Sequence, residues 1–167
     1  RGLVADGVDG ITTNCGFLSL FQEELASAVG VPVATSSLMQ VDMVNRLLPA
    51  GKKTGILTVS GSSLTAEHLR KARVPDATPV GSTEGGREFT RVLLDNELEL
   101  DVEAARQDNV EAAEKLQREH PELGAIVLEC TNMLPYAADI RDATGLPVYS
   151  MLSFVSWFQS GLVPRRF

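Results

Sequence analysis

Two stretches decide the fold: Ile11-Thr12-Thr13-Asn14-Cys15-Gly16-Phe17 and, 115 positions later, Ile126-Val127-Leu128-Glu129-Cys130-Thr131-Asn132. Each is a short apolar or β-branched run that ends on a cysteine where a turn begins. The same offset, applied without a gap, lays Ala28 on Ala143, Gly30 on Gly145 and Pro32-Val33 on Pro147-Val148. It also brings Phe21 to Tyr136, Leu25 to Ile140 and Val31 to Leu146. Generic patterning yields the apolar matches, but matched Cys, Gly and Pro at one offset mark a repeat. Each copy reads strand, Cys, turn, helix, then a Gly-apolar-Pro-Val strand.

Outward from these stretches, strand and helix signals alternate. Strands are predicted at 11–14, 31–35, 52–59, 79–82, 125–129 and 147–151. Helices are predicted at 19–29, 38–48, 64–72, 88–94, 102–119, 135–143 and 152–160. Ser19 followed by Gln22 reads as a capping box, and Pro49 stops the second helix. The run Gly55-Ile56-Leu57-Thr58-Val59 is apolar enough for a strand buried on both faces. Such alternation predicts an α/β protein with parallel sheets. The repeat makes it two pseudo-symmetric lobes with the site in the cleft between them.

The expected partition is residues 1–48 for a partial first lobe and 49–151 for the second. A C-terminal helix over 152–167 would pack back on the first lobe. Leu3, Val4 and Val8 read as a last helical turn capped by Gly7, and Arg1 opens the chain without a Met. By symmetry with the second copy, about 64 residues are expected to precede it.

The 167 residues are 44% hydrophobic and carry a formal charge of −7, enough for a core and unfavourable for nucleic acid or an anionic membrane. No apolar run approaches the roughly 20 residues of a bilayer span. Two Cys and two His are too few for a zinc cage or an iron–sulfur cluster. No metal or cofactor is expected. The lack of a secretory signal points to a cytoplasmic setting with free thiols. Of the 22 acidic residues, 12 fall between Glu84 and Glu122, which reads as a solvated helical face.

A cysteine at the carboxyl end of a parallel strand, before a helix, lies where α/β sheets bind ligands. The helix N-terminus there favours thiolate. Two such thiols facing across a cleft suit proton removal from one face of a carbon and return to the other. Their ordinary pKa, about 8.5, lies near working pH. A carbanion beside a carboxylate needs donors, and helix N-terminal amides with Thr13, Asn14, Thr131 and Asn132 can supply them. The alternative from another class is a non-catalytic small-molecule binding module, which predicts buried cysteines with raised thiol pKa values.

At the two cysteine segments, and at Pro32-Val33-Ala34-Thr35-Ser36-Ser37, the chain resembles the aspartate/glutamate/hydantoin racemase superfamily. The resemblance implies two α/β lobes, independence of pyridoxal phosphate and metal, and Cys15 and Cys130 as acid and base. It implies Thr131, with Asn14, Gly16 and Asn132, around a substrate carboxylate. Many members read Cys-Asn-Thr at the first site, where this chain has Cys15-Gly16-Phe17. The second site often reads Gly-Cys-Thr, where this chain has Glu129-Cys130-Thr131. The expected activity is a racemase of amino acids or hydantoins working by two-cysteine 1,1-proton transfer. A decarboxylase or maleate-isomerase type of the same fold, needing one essential Cys, is the enzymatic alternative. A small carboxylate or hydantoin is the expected partner, and family likeness makes a homodimer plausible.

Other motifs carry less. Ser60-Gly61-Ser62-Ser63 follows a strand and precedes a helix, an anion-binding turn that puts Ser60 among the candidates. Gly51-Lys52-Lys53-Thr54 lacks the earlier glycine of a phosphate loop. His68, beside Arg70, Lys71 and Arg73, is expected on a surface helix, and His120 at a helix end before Pro121.

Overall fold

A computed structural model describes residues 1–166; residue 167, the last of the predicted C-terminal segment, lies outside them. A short helix α1 (Gly2–Ala5) ends on Gly7, whose φ of +84° supplies the left-handed turn. Strand β1 (Ile11–Thr12) pairs in parallel with β2 (Val33–Ala34). Between them lie a 3-10 turn, Gly16–Phe21, and helix α2 (Gln22–Ala28). A second 3-10 turn, Ser37–Gln40, leads into α3 (Val41–Leu47).

The larger sheet is parallel throughout. It comprises β3 (Lys53–Thr58), β4 (Val80–Ser82), β5 (Leu123–Leu128) and β6 (Val148–Tyr149), in the order β4-β3-β5-β6. Helix α4 (Ala66–Lys71) joins β3 to β4. Helices α5 (Phe89–Leu94) and α6 (Val102–Glu119) join β4 to β5. A 3-10 turn, Thr131–Tyr136, and α7 (Ala137–Thr144) join β5 to β6. Helix α8 (Met151–Leu162) follows. Its Phe154 packs with Ala34 and Met151, and its Phe158 and Leu162 lie against Gly10 beside the small sheet.

The sequence repeat is a structural repeat. The 3-10 turns Gly16–Phe21 and Thr131–Tyr136 coincide at the same offset, as do β2 and β6. Ile11 N–H donates to the Pro32 carbonyl, and Ile126 N–H to the Pro147 carbonyl, each at 2.9 Å. The cysteine carbonyls accept from Leu18 and Met133, each at 3.1 Å. Surroundings differ where sequence matches. β5 lies between two strands, so Ile140 and Tyr136 are buried under α6. Their counterparts Leu25 and Phe21 flank a two-stranded sheet and stand exposed.

The core wraps both faces of the larger sheet. Leu57, Ile126 and Leu128 pack with Phe89, Ala113, Leu116 and Ile140 on one side. Ile56 and Val127 pack with Leu38, Val41, Leu64 and Val74 on the other. This is the two-sided burial that a continuous apolar strand requires.

Three local expectations need correction. Ser19 caps no helix: its hydroxyl donates to the His68 carbonyl at 3.2 Å, and α2 begins only at Gln22. The Gln22 amide instead ties Val33 O at 2.9 Å and Thr35 N at 3.1 Å, fastening α2 to β2. His68 is buried, not on a solvated face; it closes a capping box with Thr65 and lies 5.0 Å from the Phe17 ring, so burial lowers its pKa. Asp108 leaves the acidic face of α6 and turns inward. Its carboxylate accepts the backbone N–H groups of Arg87, Glu88 and Phe89 at 2.7–2.8 Å, satisfying the orphan amides that open α5.

Candidate functional site

The two cysteine turns meet where the small sheet abuts the large one. Cys15 and Cys130 each occupy the N-cap position of a 3-10 turn in extended backbone. That conformation brings each thiol to a strand's carboxyl end, ahead of the amides that open the turn. Thr131 clasps the turns together: its hydroxyl donates to the Asn14 carbonyl at 2.7 Å. Thr13 anchors the first turn from below by donating to Thr35 O at 2.5 Å. Both thiols are free, Cys15 exposed and Cys130 half-buried.

The thiols are unlike in electrostatics. Burial pushes the Cys130 thiol up to about 11, and the neighbouring Glu129 and Cys15 add to the rise. The amides of Asn132 and Met133 oppose it without prevailing. The expected thiolate-favouring effect of the following helix is therefore overridden at Cys130. The reason is physical: a short 3-10 turn offers a weak dipole, while loss of water penalises the anion directly. A raised thiol pKa is what the binding-module alternative predicts, and Cys130 meets it. The exposed Cys15 does not share that burial.

Glu129 is the buried carboxyl beside this centre that sequence reasoning did not single out. Its side chain is only 2% exposed. One oxygen, Oε2, accepts from the Thr58 hydroxyl at 2.8 Å. Burial raises the carboxyl to about 7, against the Thr58 bond that lowers it. Ser37 secures the backbone beneath, its hydroxyl donating to Leu128 O at 2.6 Å. A Cβ on Gly16 would lie 2.1 Å from Glu129 Oε1 and 2.6 Å from Glu129 O. Gly16 thus owes its place to close approach. The signal was present in the sequence: Cys-Gly replaces Cys-Asn at one site where Glu-Cys replaces Gly-Cys at the other. The two changes occupy the same space, a side chain withdrawn from the first turn and one inserted from the second.

The remaining candidates fall on both sides of this centre. Asn14, Gly16 and Thr131 are brought together with the cysteines. Asn132 and Thr131 also line a mostly apolar cavity of about 350 Å³ with Phe89, Val92, Leu100 and Tyr136. Ser60 stands apart in its bonding. The anion bound by its turn is Glu84 of the chain itself, which accepts from the Ser60 and Ser62 hydroxyls at 2.7 and 2.6 Å. These donors hold the Glu84 carboxyl down to about 2. Among the described residues no group of three or more His, Cys, Asp or Glu is placed to hold a metal ion. None of the described helices is long and apolar enough to cross a membrane.

No protein-family profile matches the sequence. Among curated proteins, the chain is 32% identical over 162 residues to a dimethylsulfoniopropionate lyase of Durusdinium sp. clade D, covering 94% of this chain and 54% of that protein. It is 27% identical over 164 residues to dimethylsulfoniopropionate lyase 5 of Emiliania huxleyi, covering 93% of this chain and 32% of that protein. The chain thus spans about half the length, or less, of these relatives. Their names carry a lyase activity distinct from the racemase activity expected above. Among solved structures, a glutamate racemase of Bacillus anthracis matches with a TM-score of 0.68 at 15% identity, over 97% of this chain and 60% of that one. Allantoin racemase of Pseudomonas fluorescens matches at 0.66 and 20%, over 93% of this chain and 62% of that one. Arylmalonate decarboxylase matches at 0.66 and 17%, over 98% and 72%. The chain therefore shares the parallel-sheet α/β fold of these three enzymes.

Proposed function

We propose that this chain forms the thiol-bearing part of a lyase acting on a carboxylate with a sulfonium group two carbons away, as in dimethylsulfoniopropionate. The observation that carries the reading is the inequality of the two converging thiols, together with the names of the sequence relatives. A racemase needs two thiols that exchange roles, each thiolate in one direction and thiol in the other. An elimination needs one base only. One thiolate removes the proton on the carbon next to the carboxylate. The electron pair of that C–H bond becomes the C=C bond of acrylate. The C–S pair leaves with sulfur, which departs as neutral dimethyl sulfide. Charge balances, because the sulfonium becomes neutral as the base takes up a proton. No acid is required for the leaving group.

The amides that open the two 3-10 turns, with Thr131, Asn14, Gly16 and Asn132, face the substrate carboxylate and take up charge developing on it. The apolar cavity beside Thr131 and Asn132 gives the two methyl groups and the departing thioether a dry surface. A second reading, two-base racemisation of an amino acid or hydantoin, is favoured by the presence of both cysteines at repeat-equivalent positions.

One experiment separates them. The full gene product is incubated in D2O with dimethylsulfoniopropionate and with a panel of single-enantiomer amino acids and hydantoins. Dimethyl sulfide is read by gas chromatography and the α-proton by NMR. Dimethyl sulfide release, abolished by Ser at one cysteine and only weakened by Ser at the other, supports the lyase. Solvent exchange into an amino acid or hydantoin, lost on either substitution, overturns it in favour of the racemase.

A further inference from the structure

Tyr136 walls the apolar cavity beside the site, and its hydroxyl has no polar partner. It is the last residue of the 3-10 turn that opens at Thr131. It is only 5% exposed, yet it lines the cavity of about 350 Å³ with Phe89, Leu100, Thr131 and Asn132. Its hydroxyl forms no hydrogen bond with a described residue, and burial alone pushes the phenol up. A buried tyrosine hydroxyl ordinarily finds a partner. The rings of Phe89 and Tyr136 stand perpendicular, with centroids 5.7 Å apart. Asp108 accepts the Phe89 N–H at 2.8 Å, so this aromatic corner rests on a fixed helix start. No Asp, Glu, Lys, Arg or His is among the residues lining the cavity.

Such walls select among cations on elementary grounds. A primary ammonium brings three N–H donors that an apolar wall leaves unpaired. A fully alkylated onium brings none, and its methyl groups need only apolar contact. Its charge is attracted by an aromatic ring face within about 6 Å of the centroid. Resting on the lyase reading above, we infer that Tyr136 is a specificity-determining residue whose ring recognises the sulfonium end of the substrate. Thr131 and Asn132 hold the carboxylate at the start of the turn, and the Tyr136 ring meets the sulfonium at its end. Cys130 caps the same turn and packs against the cluster that contains Phe89 and Tyr136, which keeps a thiol beside the ligand's carbon chain. Amino acids are refused at this wall by their ammonium donors rather than by size. When sulfur departs as neutral dimethyl sulfide, the attraction to the ring is lost and the product is free to leave.

The test uses two non-reacting probes of equal shape. One is trimethylammoniopropionate; the other is its all-carbon isostere, with a quaternary carbon in place of nitrogen. Binding of each to the full gene product is measured by calorimetry, in the wild type, Tyr136→Phe and Tyr136→Leu. The wild type should prefer the cationic probe by about 10-fold. Tyr136→Phe keeps a ring and should retain most of that preference. Tyr136→Leu should reduce it to about twofold or less while still binding the isostere, because apolar contact remains. A merely structural role would weaken both probes together and leave their ratio unchanged. In the wild type alone, the probe's N-methyl protons should show a nuclear Overhauser contact with ring-labelled Tyr136, assigned by its loss in Tyr136→Phe. That measurement stands even if Tyr136→Leu fails to fold. An unchanged ratio in folded Tyr136→Leu overturns the inference, as does a Tyr136→Phe variant as unselective as Leu. Equal or undetectable binding of both probes by the wild type, or no contact with the ring, also overturns it. Dimethyl sulfide release is scored separately. Activity without cation preference removes the inference and keeps the lyase. Cation preference through Tyr136 without activity does the reverse.

Discussion

Replacing Glu129 with Gln should remove a pH-dependent weakness built into the fold. Burial raises this carboxyl from its ordinary 4.5 to about 7. A raised carboxyl favours the folded state at low pH, and the favour is lost as pH rises. Below about 4.5 the group is protonated in both states, and wild type and Gln behave alike. Above it the unfolded chain releases the proton while the folded chain keeps it, so folding stability declines with pH. The decline ends at about 7, where the folded carboxyl also ionises. Each pKa unit is worth about 1.4 kcal/mol, so wild type should lose about 3 kcal/mol across this window relative to the variant. The Cys130 thiol, pushed up to about 11, titrates above the window in both proteins and does not confuse it. Urea unfolding at a series of pH values, with wild type and variant in parallel, reads the difference directly. The Gln variant should equal wild type near pH 4 and exceed it in midpoint above about 7. Stability curves that run parallel from acid to neutral pH would refute the placement of an isolated carboxyl in this interior.

Gly16→Ala should cost about 1–3 kcal/mol, since its Cβ meets the Glu129 carboxylate and carbonyl; combined with Glu129→Gly, melting temperature should recover by more than the sum of the single effects. Thr58→Val should raise the Glu129 carboxyl further, because the hydroxyl donates to it; NMR titration of the labelled carboxyl carbon would detect the rise, and an unmoved titration would exclude that bond. With its thiol near 11, Cys130 is about one part in a thousand thiolate at pH 8. Iodoacetamide at that pH should therefore label Cys15 well before Cys130, as mass spectrometry of timed samples would show. Asp108→Ala, which strands three amides at the start of α5, one of them buried, should lower stability by about 2–4 kcal/mol in thermal unfolding, whereas a loss under about 1 would deny the cap its role.

Much of this architecture was legible because it rests on period and punctuation. Val102–Glu119 is helical over the predicted span, since Asp101 accepts from the amides of Glu103 and Ala104 at its start and the apolar face recurs at helical spacing. Ser19 misled because a hydroxyl three residues before a Gln fits a capping box, yet the chain opens α2 through a 3-10 turn and spends that hydroxyl on a neighbouring helix. His68 misled because three basic neighbours, Arg70 and Lys71 on α4 and Arg73 just past it, suggest a wet face. A helix so short presents one turn inward, and Phe17 covers it. Ser60 misled in a different way. Its turn does bind an anion, but the anion is the side chain of Glu84 on the adjoining strand end, a pairing set by β3 lying beside β4.

The sequence by itself determined the two-copy architecture, the parallel strands and the placing of both cysteines at strand ends. These follow from short-range pattern repeated at one offset, and pattern survives in a linear string. Tertiary structure alone decided that the two cysteines differ and that Glu129 is a buried carboxyl packed against the Gly16 turn. Burial, and with it the pKa of a thiol or carboxyl, depends on which segments exclude water from a point in space. Equal sequence at Cys15 and Cys130 cannot fix that, because one copy sits at the edge of two strands and the other in the middle of four.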